Sequence, residues 1–379
     1  MSRGIRTAGP VAAFLALLLG VSACGLGGNA LAGNAPDLTG PGGNPASAAS
    51  SLPALSTLDL LPDPKAYGGS SKAQLVDAAV NPVADQPKQT LPVTVASRDR
   101  GGDQPVTVEN TDRIVAFDLA GSIAGTVYGL GLGAKLVGRD VATTLPQAAD
   151  LPLVTSPNGQ SVNAERILSL KPSVVLTDGT VGPLDVISQL RQSGIPVVFV
   201  KNAPSFEGAQ ELARQVGAAL GVPETGTVLA DQLAASVSQK KSEIAAIAPK
   251  DPGQKLRMAF LYLRGGSGVY YLFGAGSGAD ALIAGLSGID VAAEIGWLGM
   301  KPMTDEALAE MNPDLILVMS GGIESVGGVD GLLAQKPALG LSNAGKNRRF
   351  VEMADGDILS FGPRSAEILD ALARAVYAP

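Results

Sequence analysis

After residue 111 the chain alternates between short apolar runs and longer stretches in which apolar residues return every three or four positions. The short runs, bounded by Gly, Pro, Asp or Asn, predict buried strands at 114–116, 136–137, 174–177 and 196–200. The longer stretches predict helices at 121–130, 164–170 and 183–192. Strands that alternate with helices of this length build βα units around a parallel sheet. Two helices then follow with no strand between them. One covers 206–220 and stops near Gly221-Val222-Pro223; the other covers 224–247 and stops at Pro249. In the second, Leu229, Leu233, Val237, Ile244 and Ile247 fall at helical spacing. The alternation resumes at Met258 and runs to a last helix over 365–377. The expected fold class is α/β, two lobes with mainly parallel sheets joined by one long rigid helix.

An internal echo supports the division. Residues 165–176 and 306–317 carry the same plan at a constant offset: a short helix opened by Glu165 or Glu306, a proline that ends it (Pro172 or Pro313), and an apolar strand. Two lobes on one plan commonly enclose a ligand between them.

The beginning of the chain has another character. Arg3 and Arg6 precede an apolar run over 11–21, too short for a spanning helix, and small residues lead to Cys24. This is a secretory signal over 1–23, and Val21-Ser22-Ala23-Cys24 resembles a bacterial lipoprotein cleavage box. Cys24 is the only cysteine in the chain, and the box implies that it is the lipidated first mature residue. From 24 to 105 the chain is rich in Gly, Ala, Pro, Ser and Asn, which predicts a flexible, lipid-anchored linker with a short ordered piece near 73–83. The remaining boundaries are an N-terminal binding lobe over 106–223, an interlobe helix over 224–249 and a C-terminal binding lobe over 250–379.

A net charge of -7 argues against a nucleic-acid partner, which needs a basic face. The absence of histidine narrows the chemistry further. It removes a Ser-His-Asp triad and the usual histidine-bound metal sites. The glycine runs 129–133 and 274–278 do not fit a dinucleotide fingerprint, and no Gly-x-Ser-x-Gly elbow is present.

Several segments together resemble a known family. They are Arg113-Ile114-Val115-Ala116, Leu136-Val137-Gly138-Arg139-Asp140, the paired Glu-to-Pro units and the long middle helix. These are similar to periplasmic binding proteins for haem, cobalamin and ferric siderophores. The C-terminal half looks like the haem-binding lipoproteins of the actinobacterial HmuT type, on Leu261-Tyr262-Leu263-Arg264-Gly265, Val269-Tyr270-Tyr271-Leu272-Phe273-Gly274, Met303-Thr304-Asp305-Glu306 and Ser360-Phe361-Gly362-Pro363-Arg364. The resemblance covers residues 106–379. It implies an extracytoplasmic, non-enzymatic, monomeric binder, tethered to the outer face of the plasma membrane, that passes haem to an ABC transporter permease and its ATPase. A ferric siderophore or cobalamin is the alternative cargo, and an extracytoplasmic enzyme working through carboxylates is the remote alternative function.

The resemblance also assigns roles. Tyr262 becomes the haem-iron ligand and Arg264 its support; two residues apart on a strand, both face one side. A phenolate suits ferric iron, and a nearby cation favours the ionised form. The family's second axial ligand is a histidine, and Gln160 stands in its place. That leaves three readings: five-coordinate haem on Tyr262, a weak sixth ligand from the first lobe, or another cargo. Met319, Arg139 and Ser122 are further pocket candidates, the last two for the propionates. Glu165 and Glu306, one per lobe, are expected to dock with permease arginines, although a first-turn glutamate also suits the helix dipole.

Overall fold

The computed structural model describes residues 52–379. The expected signal segment over 1–23 and Cys24 lie outside the described residues. Three strands precede the first lobe: β1 (Ser71–Lys72), β2 (Val93–Ser97) and β3 (Gln104–Val108), the last two forming an antiparallel hairpin.

The first lobe is a parallel sheet of β4 (Ile114–Phe117), β5 (Leu136–Arg139), β6 (Val174–Thr177) and β7 (Val197–Phe199), in the order β5-β4-β6-β7. β4 and β6 are buried along their whole length, as befits strands covered on both faces. Val115, Phe117, Val175 and Val197 face one layer together with Ile167, Ile187 and Leu190. Ile114, Ala116, Val174 and Leu176 face the other.

The second lobe contains β8 (Arg257–Arg264), β9 (Val269–Phe273), β10 (Ile289–Asp290), β11 (Met300–Pro302), β12 (Leu315–Met319) and β13 (Phe350–Met353). Its sheet runs β1-β13-β12-β8-β9-β11, with β10 paired to β8. The β1, β13, β12 and β8 pairings are parallel, while β8-β9 and β9-β11 are antiparallel. A tight turn ending at Gly268, whose φ of 62° suits glycine, permits this hairpin.

Between the lobes the helix Phe206–Ala219 leads into the 25-residue helix Pro223–Ile247, close to the expected span. Proline at its first turn has no N–H to leave unpaired. Leu229, Leu233, Val237 and Ile244 are buried on its inner face. The two helices cross closely because a Cβ on Gly217 would lie 2.7 Å from the Gly226 Cα. The long helix also packs on the last helix, Ser365–Tyr377.

The echo is structural in detail. Ile114 pairs with Val174 as Met258 pairs with Leu315. Asn163 and Thr304 each cap a helix, accepting the N–H groups of Arg166 and Ala307. Lys171 and Asn312, just before the prolines, both adopt positive φ (46° and 37°). Arg113 donates to the Leu170 carbonyl at 2.7 Å and Arg257 to the Met311 carbonyl at 2.9 Å, locking each helix end to the start of the neighbouring strand.

The flexible linker expected over 24–105 is corrected for residues 52–105, which pack against both lobes. β1 is an edge strand of the second lobe, and the Leu61 N–H donates to the Tyr377 carbonyl at 2.9 Å. Farther on, the Val83 N–H donates to the Gly129 carbonyl and the Arg98 N–H to the Phe199 carbonyl, both at 2.9 Å in the first lobe. Leu55, Ala73 and Val80 are buried, including two residues of the piece expected to be ordered. Few apolar side chains suffice here because the backbone hydrogen bonds are made by the lobes it crosses.

Candidate functional site

Tyr262 and Arg264 lie near the end of β8, both half-buried on one sheet face between the fully buried Leu261 and Leu263. The phenol ring stacks on Phe273 at 5.8 Å, while its hydroxyl has no hydrogen-bond partner among the described residues. The guanidinium of Arg264 lies over the ring face, 4.6 Å from its centroid, rather than on the hydroxyl. Arg264 thus meets Tyr262 by stacking and not by a hydrogen bond to its hydroxyl. Arg264 Nη2 is 3.9 Å from the Met319 sulfur and donates to Asp355 Oδ2 at 2.8 Å. The structure thus brings Tyr262, Arg264 and Met319 together and adds Asp355. No sequence signal identified that aspartate; it lies in a short turn 91 residues from its arginine.

The same turn carries the site to the other lobe. Gly356 packs so tightly that a Cβ there would lie 2.7 Å from the Ala142 carbonyl oxygen and from Thr144. The Thr144 hydroxyl donates to Asp357 at 3.5 Å, and Asp357 pairs with the buried Arg364 at 2.9 Å. Site and interlobe contact therefore share three consecutive residues.

The first-lobe candidates are placed differently. Ser122 is buried, and its N–H is already taken by Asp118 Oδ2 at 3.1 Å. Asp118 also accepts the N–H groups of Ala120 and Ile123, so the helix start expected to receive a propionate is occupied by a carboxylate. Arg139 spends its guanidinium on the carbonyls of Asp140, Thr143 and Ala149, bracing its own loop instead of facing an anion. Gln160 is exposed in the turn 156–161, and its backbone, not its amide, makes the local hydrogen bonds. Glu165 and Glu306 are both exposed in the first turns of their helices and make no ion pair among the described residues.

Three carboxylates gather where β4, β5 and β6 end. Asp118 and Asp140 are almost wholly buried, and Asn202 bridges Asp118 to Asp178 with contacts of 3.2 and 3.0 Å. Burial pushes the Asp118 carboxyl well up, reinforced by the charges of Asp140 and Asp178. Burial likewise pushes Asp140 up to about 6, against the hydrogen bonds from Asp118 and Thr143. No group of three or more potential metal ligands is found among the described residues.

Residues 117–355 match the periplasmic binding protein family. The chain is 37% identical to the structure of a heme binding protein, HmuT, over 84% of this chain and 100% of that one, with a TM-score of 0.77. It is 27% identical to the ABC transporter substrate-binding lipoprotein YvrC of Bacillus subtilis, over 78% of this chain and 88% of that protein. A cobalamin-binding protein of Halobacterium salinarum is 28% identical over 65% of this chain and 66% of its own length.

Proposed function

Because the chain belongs to the periplasmic binding protein family, we propose that it captures ferric haem between its two lobes, through Tyr262, and delivers it to an ABC transporter permease. The carrying observation is a half-buried phenol whose hydroxyl has no hydrogen-bond partner among the described residues, with a guanidinium 4.6 Å from the ring centre, beside the interlobe contact. A hard, anionic oxygen suits ferric iron, and the Arg264 guanidinium packs against the ring that carries it. Gln160 supplies no imidazole, so the iron is five-coordinate on Tyr262 or carries a weak sixth ligand. Cys24 anchors the protein to the outer face of the membrane, and Glu165 and Glu306 present one docking charge per lobe. The protein works as a monomer and carries out no reaction on its cargo.

The likeness to a cobalamin binder favours cobalamin as the second reading. One titration separates them. The full chain carrying Cys24→Ala is mixed with hemin or with cobalamin and compared with Tyr262→Ala. Haem capture predicts a phenolate-to-iron charge-transfer band that Tyr262→Ala loses. Tight cobalamin binding with no hemin spectrum would replace haem as the cargo.

A further inference from the structure

The strand registers of the two lobes place unlike residues at equivalent points. Phe117 pairs with Thr177 as Leu261 pairs with Val318, so Asp118 and Tyr262 each stand one residue past the equivalent paired residue, Phe117 or Leu261. Asp178 and Met319 correspond in the same way, one residue past Thr177 and Val318. Thr177 pairs with Phe199 as Val318 pairs with Glu352, so Asn202 and Asp355 both stand three residues past the equivalent paired residue, Phe199 or Glu352. In the first lobe Asn202 ties the other two positions together, reaching Asp118 at 3.2 Å and Asp178 at 3.0 Å. In the second lobe the corresponding position is Asp355, and its tie runs through Arg264. It takes Nη2 at 2.8 Å, while Nη2 lies 3.9 Å from the Met319 sulfur and the guanidinium covers the Tyr262 ring.

We propose that Asp355 is a positioning residue for the ligand site, holding the Arg264 guanidinium against the Tyr262 ring; the inference rests on the haem reading only for its consequence on cargo. Three observations carry it. The other carboxylate oxygen, Oδ1, accepts the Gly321 N–H at 2.8 Å, which fixes the carboxylate itself. Gly321 and Gly322 leave the room: a Cβ on Gly321 would stand 3.1 Å from Asp355, and one on Gly322 would stand 2.9 Å from the Leu263 carbonyl and 3.3 Å from Arg264 Nη1. Finally, Arg264 and Asp355 are 36% and 37% exposed, and so open an ion pair adds little to folding stability. Its geometric effect is the larger one. An untethered arginine samples many rotamers, while one held at two points presents its charge to the phenol in a fixed place.

The test uses the full chain carrying Cys24→Ala, with arginine isotopically labelled, first without ligand. The Arg264 side-chain resonances of the parent are shifted upfield by the Tyr262 ring current. Asp355→Ala abolishes that shift, Asp355→Glu keeps part of it, and the thermal midpoint hardly moves; Asp355→Asn, which retains an acceptor for Gly321, serves if the alanine variant does not fold. With hemin bound, Asp355→Ala speeds hemin transfer to an excess of a haem-accepting apoprotein by about tenfold. Arg264→Ala does the same, and the double variant is no faster than Arg264→Ala alone. An unchanged ring-current shift in Asp355→Ala, or additive effects in the double variant, overturns the proposal. A parent that binds no hemin defeats the haem reading instead, and the ligand-free resonances still decide the role of Asp355.

Discussion

The carboxylate of Asp140 accepts the backbone N–H of Asp118 at 3.0 Å, and both side chains are only 1% exposed. Two acids thus share one buried corner at the end of the first-lobe sheet. Neither forms an ion pair among the described residues, and Arg139 gives its neighbour's carbonyl, not its carboxylate, a hydrogen bond. A carboxyl raised by burial binds its proton more tightly in the folded chain. Its contribution to stability is therefore complete below the unfolded value of 3.8 and is lost as pH rises through about 6. Asp99 and Asp370, lowered by arginine and lysine partners, have the opposite dependence. Subtraction isolates the pair: the unfolding free energy of the parent minus that of Asp140→Asn is expected to fall by about 2 kcal/mol between pH 4 and pH 7. A flat difference in urea titrations across that range would show that Asp140 keeps its charge throughout.

Gly356 sets how closely the lobes meet. Because an added Cβ would fall 2.7 Å from a backbone oxygen of Ala142, Gly356→Ala must push the turn or the opposing loop away. The expected result is a larger radius of gyration for the ligand-free protein by X-ray scattering, with hemin held about tenfold more weakly. An unaltered scattering profile would mean that the turn relaxes locally.

Gln160→His restores an imidazole where the first lobe has an exposed amide. If that turn faces the bound iron, the variant's spectrum changes from five- to six-coordinate and hemin release slows by about tenfold. A spectrum identical to the parent's would put position 160 outside the cargo site.

Removing the charges of Glu165 and Glu306 leaves hemin binding untouched, since neither residue touches the Tyr262 site. Their effect falls on the transporter. Each alanine variant is expected to slow association with the permease several-fold at low salt and to weaken its ionic-strength dependence. Surface plasmon resonance against the reconstituted permease measures both; an unchanged salt dependence in the double variant would assign these residues to helix capping alone.

The two lobes, the long helix and the Glu-to-Pro repeat were legible in the sequence because each rests on a local pattern. Leu229, Leu233, Val237 and Ile244 mark the buried side of the middle helix by spacing alone. Tyr262 and Arg264 were singled out by their resemblance to the haem-binding family, and alternation along the strand added only that they share a face. Asp355 was not, because its meaning comes from an arginine brought to it by the sheet. Arg139 and Ser122 were read as free groups facing an anion. A sequence does not disclose that a buried aspartate has already taken the helix start, or that a loop folds its carbonyls onto the guanidinium. Residues 52–105 were misjudged because composition measures how much apolar surface a segment owns, not how many hydrogen bonds its neighbours offer it.

That early segment also governs how the protein can be cut. Ser71 and Lys72 lie alongside Val351 and Glu352, and the buried Arg349 donates to the Ser71 hydroxyl at 2.8 Å and to the last helix at Ala375 and Val376. A fragment trimmed to the matched region would bare a sheet edge and strip Arg349 of a partner. Residues near 52, not 106, are the place to begin a recombinant body, and any tether to a surface or dye belongs upstream of them.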